Sequence, residues 1–108
     1  MSLKILGQSD PVVDTLTTIY TVPASKETVC STLTICNRGT SAATIRVAAR
    51  PAAGAISDEM YIYYDVIIPA NETMASTIGI SLATTDDVQV YTDVATVSFT
   101  LFGNEDDA

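Results

Sequence analysis

The stretch TLTICNRGTSAATIRVAAR, residues 32–50, decides the expected fold of this chain. Apolar residues alternate with small polar residues on both sides of the segment NRGTS, residues 37–41. A period of two over several residues is typical of a β-strand, and a short segment with Asn, Gly and Ser between two such runs is typical of a turn. The stretch therefore predicts two β-strands joined as a hairpin.

The same alternation recurs along the chain, and no segment shows a sustained period of 3.6 residues. The predicted strands cover residues 4–9, 17–22, 28–36, 43–50, 60–68, 72–82, 88–92 and 94–103. Short strands at this spacing predict an all-β fold, an antiparallel β-sandwich of about seven or eight strands. A small β-barrel is the alternative, because strands alternate in the same way in both folds. We expect one domain over residues 1–103 and a disordered acidic tail over residues 104–108.

The predicted strand 28–36 contains both cysteines of the chain, Cys30 and Cys36. Strict alternation places them on one face, with Leu33 and Ile35 on the other. At about 3.3 Å per residue the cysteines lie roughly 20 Å apart, whereas a disulfide needs Cα atoms within about 7 Å. We therefore expect free thiols, at least partly buried, in a protein that assembles in a reducing cytoplasm.

Two segments of the chain are similar to each other. They are VPASKETVCSTLTI, residues 22–35, and IPANETMASTIGI, residues 68–80. Each contains Pro-Ala, a turn residue, Glu-Thr and then an alternating strand, so each predicts a turn followed by a strand. The similarity can correspond to two equivalent hairpin arms, and it indicates either an ancestral repeat or a common turn solution that is used twice.

The residue types exclude most catalytic sites. The chain has no histidine and no tryptophan. Without histidine, Ser-His-Asp and Cys-His arrangements cannot form, and two cysteines offer too few ligands for zinc. No phosphate-binding glycine motif occurs. We therefore expect no enzymatic activity, no cofactor and no metal site, with a cation site at Asp86, Asp87 and Asp93 as the alternative.

The net charge of −8 disfavours nucleic acid and anionic membranes as partners, because both are bound through clustered Lys and Arg. No apolar run approaches the ~20 residues of a membrane span. The charge is also divided unequally, with +2 on residues 1–50 and −10 on residues 51–108. This division indicates either a solvated acidic surface or opposite patches that meet across a subunit contact.

The outward faces of two predicted strands form the expected interface. Alternation places Arg46 and Arg50 outward on one strand and Tyr61 and Tyr63 outward on another. Tyr and Arg are enriched at protein interfaces. The alternative for the tyrosines is that their rings fill the core or cover its rim. We expect the arginines to meet acids of a neighbouring chain, and a head-to-tail contact of this kind closes into a ring, with a trimer favoured.

Most other outward positions in the predicted strands hold Thr, Ser or Ala. Charged residues make up 17% of the chain, below the roughly 25% of ordinary globular proteins. Strands with so few charges do little to prevent association. The composition therefore favours a protein that works inside an assembly.

Several short motifs resemble a family of small virion proteins of tailed bacteriophages, including cyanophages and related prophages. The motifs are GQS at residues 7–9, YTVPA at 20–24, CNRG at 36–39, YYDVIIPAN at 63–71 and SFTLFG at 98–103. The resemblance covers nearly the whole chain. Its motifs mark strands and turns, and none of them carries chemistry.

The resemblance implies a structural component of a virion that is assembled in the host cytoplasm. Among virion roles we expect a capsid cement or decoration protein, which contacts the major capsid protein or other virion proteins and forms a homo-oligomer. A neck, tail or baseplate accessory protein is the first alternative. A carbohydrate- or cation-binding module for adhesion to the host surface is the second.

Overall fold

The computed structural model describes residues 3–108, and strands make up most of it. Nine strands follow one another along these residues: β1 (Lys4–Ser9), β2 (Thr17–Thr21), β3 (Lys26–Asn37), β4 (Ala43–Arg50), β5 (Tyr61–Ile68), β6 (Thr73–Ser76), β7 (Ile80–Leu82), β8 (Asp87–Thr92) and β9 (Val97–Asp107). Two short 3₁₀ turns, Pro51–Ala53 and Asp58–Met60, lie between β4 and β5.

The strands form two antiparallel sheets that pack as a sandwich. Sheet I has the order β1-β9-β3-β6, with β7 also paired to β3, and sheet II has the order β2-β8-β4-β5. The described residues close no barrel. The predicted antiparallel sandwich is therefore confirmed, and the barrel alternative is wrong.

The core lies between the inner faces of the two sheets. Its largest fully buried side chains come from both sheets: Leu33, Ile35, Phe99 and Leu101 from sheet I, and Ile45, Val47, Ile68, Val88 and Val90 from sheet II. Most of these positions alternate with exposed or half-buried ones along β4 and β9, as expected of strands with one buried face. Each fully buried Leu, Ile, Val or Phe contributes about 1.5–3 kcal/mol to folding through the removal of its surface from water.

The predicted hairpin at residues 32–50 is wrong, although both of its strands exist. β3 lies in sheet I and β4 lies in sheet II, so the segment between them crosses from one sheet to the other. In this arrangement the apolar faces of the two strands pack toward each other through the core. Alternation cannot distinguish a hairpin from such a crossing, because both give the same inward and outward residues.

The side chain of Asn37, which is 1% exposed, holds this crossing in place. Its Nδ2 group donates to the carbonyl oxygens of Ser41 at 2.8 Å, Ile68 at 3.2 Å and Pro69 at 3.4 Å. Its Oδ1 atom accepts from the Thr96 hydroxyl at 2.9 Å and from a backbone N–H of its own turn. These partners lie in the connections β3–β4, β5–β6 and β8–β9, each of which crosses between the sheets. One buried amide therefore joins three crossings at one end of the sandwich.

Asn37→Asp should lower the free energy of unfolding by roughly 3 kcal/mol, because a carboxylate cannot donate to the carbonyl oxygens that the amide now pairs. Urea unfolding at neutral pH measures the effect. Gln8→Glu is the matched control, since it makes the same chemical change on an exposed amide with one long hydrogen bond. An equal loss of stability in both variants would contradict the role of Asn37.

The two similar segments share a sheet-crossing turn. The first connects β2 of sheet II to β3 of sheet I, and the second connects β5 of sheet II to β6 of sheet I. The residue after Pro-Ala has a positive φ in both turns, 63° at Ser25 and 56° at Asn71. The strands that follow, β3 and β6, pair with each other in sheet I. Both similar segments therefore form the same kind of sheet-crossing turn, and neither is a hairpin, because the strands on its two sides lie in different sheets.

A β-bulge at Ser31 changes which residues of β3 face the core. The register of β3 against β9 shifts between Cys30 and Thr32, so Cys30 joins Leu33 on the core side. Cys36 remains on the outer side and is half-buried. Both thiols are free, as expected, but the prediction that they share one face is wrong. The extra residue of a bulge reverses the side of every residue before it.

The strand predicted at residues 72–82 consists of two strands. β6 pairs with the second half of β3, and β7 pairs with its first half. The break between them lies beside the bulge in β3 and contains Gly79, which has a φ of 57°. A left-handed glycine interrupts a ladder at little steric cost.

Residues 104–107 belong to β9, so the prediction of a disordered acidic tail is wrong for them. They pair with the first residues of β3, with Lys26 opposite Asp107. The glycine that was expected to end the strand, Gly103, lies where β9 approaches β3 so closely that a Cβ atom would clash with the carbonyl oxygen of Val29. Gly103 therefore permits the ladder to continue.

Glu105 connects this end of β9 to three other strands. Its carboxylate pairs with Lys4 of β1 at 2.7 Å and accepts a hydrogen bond from the hydroxyl of Tyr20 in β2. The Tyr20 hydroxyl also bonds the Thr28 hydroxyl of β3 at 2.7 Å. The hydrogen bond from Lys4, and then the one from Tyr20, lower the pKa of Glu105. Burial, and then Glu105, raise the pKa of Tyr20.

Glu105→Gln should destabilise the fold by about 1–2 kcal/mol at neutral pH, because charged hydrogen bonds are lost. A carboxylate with a lowered folded pKa stabilises the fold above its unfolded pKa of about 4.3, and this contribution disappears as the pH falls through the folded value. The difference in the free energy of unfolding between wild type and variant should therefore shrink below about pH 4. Urea unfolding from pH 3 to 7 tests this, with the exposed Glu27→Gln as control. A difference that is independent of pH would contradict it.

Candidate functional site

The two outer faces of the sandwich are the candidate functional surfaces, and they differ in chemistry. The outer face of sheet I, which we call the threonine face, is formed by Ile5, Gln8, Thr32, Thr34, Cys36, Thr73, Ala75, Ser98, Thr100 and Phe102. None of these ten residues is charged; the charged residues of sheet I lie at its rim, with Lys4 beside Ile5 and the exposed acids Glu27 and Asp106 opposite each other beyond the bulge. The pairing of the strands places them in rows, for example Gln8, Thr100, Thr34 and Ala75 across β1, β9, β3 and β6.

The threonine face has apolar side chains near one border. Ile5 is 52% exposed and, with Thr32 and Phe102, lines a shallow depression. At the far end of β3 the bulge turns Val29 outward, where it is 42% exposed. The ten residues of the threonine face carry no charge, so another protein can cover them without the removal of ions from water. Sequence patterning correctly indicated outward threonines at residues 32 and 34, which lie after the bulge.

The outer face of sheet II, which we call the aromatic face, holds Arg46 between two tyrosine rings. The guanidinium carbon lies 4.2 Å from the centroid of the Tyr64 ring and 4.6 Å from that of Tyr91. Arg46 Nε donates to Asp65 Oδ1 at 2.6 Å. The Tyr91 hydroxyl donates to Asp14 at 2.9 Å. Cation–π contacts of this kind contribute about 0.5–1 kcal/mol each at exposed sites.

Three of the four residues predicted to form the interface, Arg46, Arg50 and Tyr61, lie on the aromatic face. The fourth, Tyr63, packs against the core, and its hydroxyl bonds the Ser76 hydroxyl of sheet I. The prediction that Tyr63 points outward is therefore wrong, and Tyr64, which is 56% exposed, takes the outward position. The reason is the irregular register of β5 against β4, with Asp65 at a φ of 54°. Sequence patterning missed Tyr64 because it assumed strict alternation through YIYYDVII.

Arg46 and Arg50 already pair with acids of their own chain. Arg50 forms two hydrogen bonds with the buried carboxylate of Asp87, at 2.9 and 2.6 Å, and Arg46 pairs with Asp65. These hydrogen bonds raise the pKa of both guanidinium groups. Opposite charges from the two halves of the sequence therefore meet within one molecule, and the contact of these arginines with acids of a neighbouring chain stays a prediction.

The acids of the alternative cation site also have protein partners. Asp86 accepts backbone N–H groups of Ala52 and Ala83, and Asp93 accepts the N–H of Thr44 at 2.8 Å. Asp87 pairs with an arginine. Within residues 3–108, no group of three or more potential metal-ligating side chains occurs. These carboxylates stabilise turns and strand ends.

The two thiols differ in environment. Cys30 is fully buried, and burial raises the pKa of its thiol to about 11. Cys36 lies half-buried on the threonine face. Because the thiolate is the reactive form, a buried thiol with a raised pKa is inert.

N-ethylmaleimide at pH 8 should therefore modify Cys36 first and Cys30 only after unfolding. Mass spectrometry of the native and the denatured protein over time distinguishes one adduct from two. In Cys36→Ser the native protein should react slowly, while the denatured variant gains one adduct. Fast labelling of native Cys36→Ser would show that Cys30 is accessible.

Among the residues that the structure describes, no helix has the length and apolar character required to cross a membrane. Comparisons with protein-family models, with curated proteins and with solved structures found no match for the chain. The functional proposal therefore depends on the two outer faces and on the motifs of the sequence.

Proposed function

We propose that the protein is a non-enzymatic structural component of a tailed-phage virion, and that it acts as a capsid cement or decoration protein. It would be assembled in the host cytoplasm and held on the head by contacts with the major capsid protein or with other virion proteins. The resemblance of motifs along nearly the whole chain supports the virion assignment. The threonine face supports a role that consists of protein contact.

The threonine face is the observation that carries the proposal. Ten residues on four neighbouring strands include no charge. The centres of protein interfaces are depleted in charged residues, because each ion that loses its water costs several kcal/mol unless it is well paired. Monomeric sheet proteins instead place charges, especially lysine, where they prevent association. A contact with a capsid protein through this face would require no buried ion from this chain.

The expected trimer rests on the resemblance to decoration proteins, since the basic side chains pair within the molecule. The contact predicted at Arg46, Arg50 and Tyr61 stays a prediction. The ring of Tyr63 packs against the core, so Tyr63 can affect this predicted contact only by holding β5 in place.

Thr34→Lys should abolish attachment to the head. Thr34 lies at the centre of the threonine face, and an unpaired lysine buried there should weaken binding at least about 30-fold. The measurement uses particles assembled without the protein, to which the purified protein is added back. Quantitative mass spectrometry then gives its ratio to the major capsid protein in emptied heads and in tails.

Thr21→Lys is the matched control, because it adds the same charge to an exposed threonine of β2 in sheet II. It should bind heads as the wild type does. Wild-type binding by Thr34→Lys would contradict a contact through the threonine face. Recovery of the protein with tails would replace the cement function by that of a neck, tail or baseplate protein.

A further inference from the structure

The aromatic face contains two similar groups of side chains, and Tyr64 belongs to both. In the first group, Tyr64, Tyr91 and Asp65 surround the guanidinium of Arg46. Two aromatic rings and a carboxylate are the groups that stabilise a cation in proteins, through cation–π contacts and an ion pair. The protein therefore already contains one complete example of cation recognition on this face.

The second group consists of Asp58, Tyr61 and Tyr64, which together line a shallow concavity. The two rings meet edge to face, with centroids 4.9 Å apart and an angle of 81° between their planes. Tyr64 is 56% exposed. Among the described residues, the Asp58 carboxylate has no hydrogen-bond or ion-pair partner. The chemistry repeats that of the first group, two tyrosines and one aspartate.

No basic side chain of this chain is free to bind the second group. The five basic residues form five ion pairs, Lys4–Glu105, Lys26–Asp107, Arg38–Asp10, Arg46–Asp65 and Arg50–Asp87. A second copy of the chain has the same pairs, so self-association would have to break one of them. A basic segment of a different protein, whose cation is not already paired, therefore fits Asp58, Tyr61 and Tyr64 better than a second copy does.

We propose that the concavity formed by Asp58, Tyr61 and Tyr64 binds a Lys or Arg side chain from a basic segment of another protein. The Asp58 carboxylate pairs with the cation, and the cation lies over the face of the Tyr61 or the Tyr64 ring. The surrounding charge supports the same class of partner, since Asp14, Asp65 and Asp93 border the aromatic face beside Arg46, while Arg50 on this face is paired with Asp87. The chain as a whole carries −8, which attracts a basic segment over a longer range. The inference is independent of attachment to the head through the threonine face, because it concerns the opposite face of the sandwich; it shares Tyr61 with the predicted subunit contact.

Nuclear magnetic resonance of the ¹⁵N-labelled protein tests the proposal. The probe is the capped peptide Gly-Arg-Gly-Arg-Gly, titrated at low salt and again at 0.5 M NaCl. Amide shifts should concentrate in residues 58–64 and diminish at high salt, because exposed ion pairs are screened. Asp58→Asn should weaken binding roughly two- to fivefold, the range expected from the loss of one exposed charge or cation–π partner.

Glu27→Gln is the matched control, since it removes one exposed acid from sheet I at the far side of the molecule. It should leave the affinity for the peptide unchanged. Tyr61→Leu should weaken binding as Asp58→Asn does, which separates recognition by the ring from attraction by charge alone.

Three outcomes would overturn the proposal. The first is an absence of shifts in residues 58–64. The second is equal weakening by Asp58→Asn and Glu27→Gln, which indicates unspecific attraction to an acidic protein. The third is a response of the same amides to neutral oligosaccharides but not to the peptide, which would assign the concavity to glycan binding. Attachment to heads through the threonine face is measured separately, so failure here leaves that proposal in place.

Discussion

The buried amide of Asn37 is the contact on which the arrangement of the two sheets depends. A carboxamide can donate and accept at once, so it pairs the carbonyl oxygens of Ser41 and Ile68 while it accepts from Thr96. Neither a carboxylate nor an apolar side chain can satisfy all of these groups. Because the partners lie in three crossings, the amide fixes β3 and β4 in opposite sheets. Their apolar faces can then form one core.

The topology pairs charges that lie far apart and are unevenly divided along the chain. Lys4 and Lys26 lie on β1 and β3, and their partners Glu105 and Asp107 lie at the end of β9 between these two strands. Arg46 and Arg50 on β4 likewise pair with acids on β5 and β8. Bases from the first half of the chain thus meet acids from the second half within each sheet. The exposed pairs among them contribute little individually, whereas the carboxylate of the Arg50–Asp87 pair is buried.

The two outer faces give this small sandwich two different binding chemistries. The threonine face offers hydroxyl, methyl and apolar groups without charge, which suits a dry contact with a large partner. The aromatic face offers tyrosine rings and an excess of carboxylates, which suits a basic side chain. A protein with such faces on opposite sides can attach to one partner and present its other side to a second. This geometry is compatible with a position on the surface of an assembly.

The alternating sequence by itself determined an all-β antiparallel fold and most strand positions, because a period of two directly reflects which face is buried; it did not separate a sandwich from a small barrel. It also determined that the chain would carry few charges on its outer strands. Only the tertiary structure decided which sheet each strand joins, since a crossing and a hairpin have the same local pattern. It also decided the outward position of Tyr64, the inward positions of Tyr63 and Cys30, and the strand at residues 104–107. In each case the deciding group was a bulge, a left-handed residue or a partner on a distant strand, and none of these changes the alternation that the sequence displays.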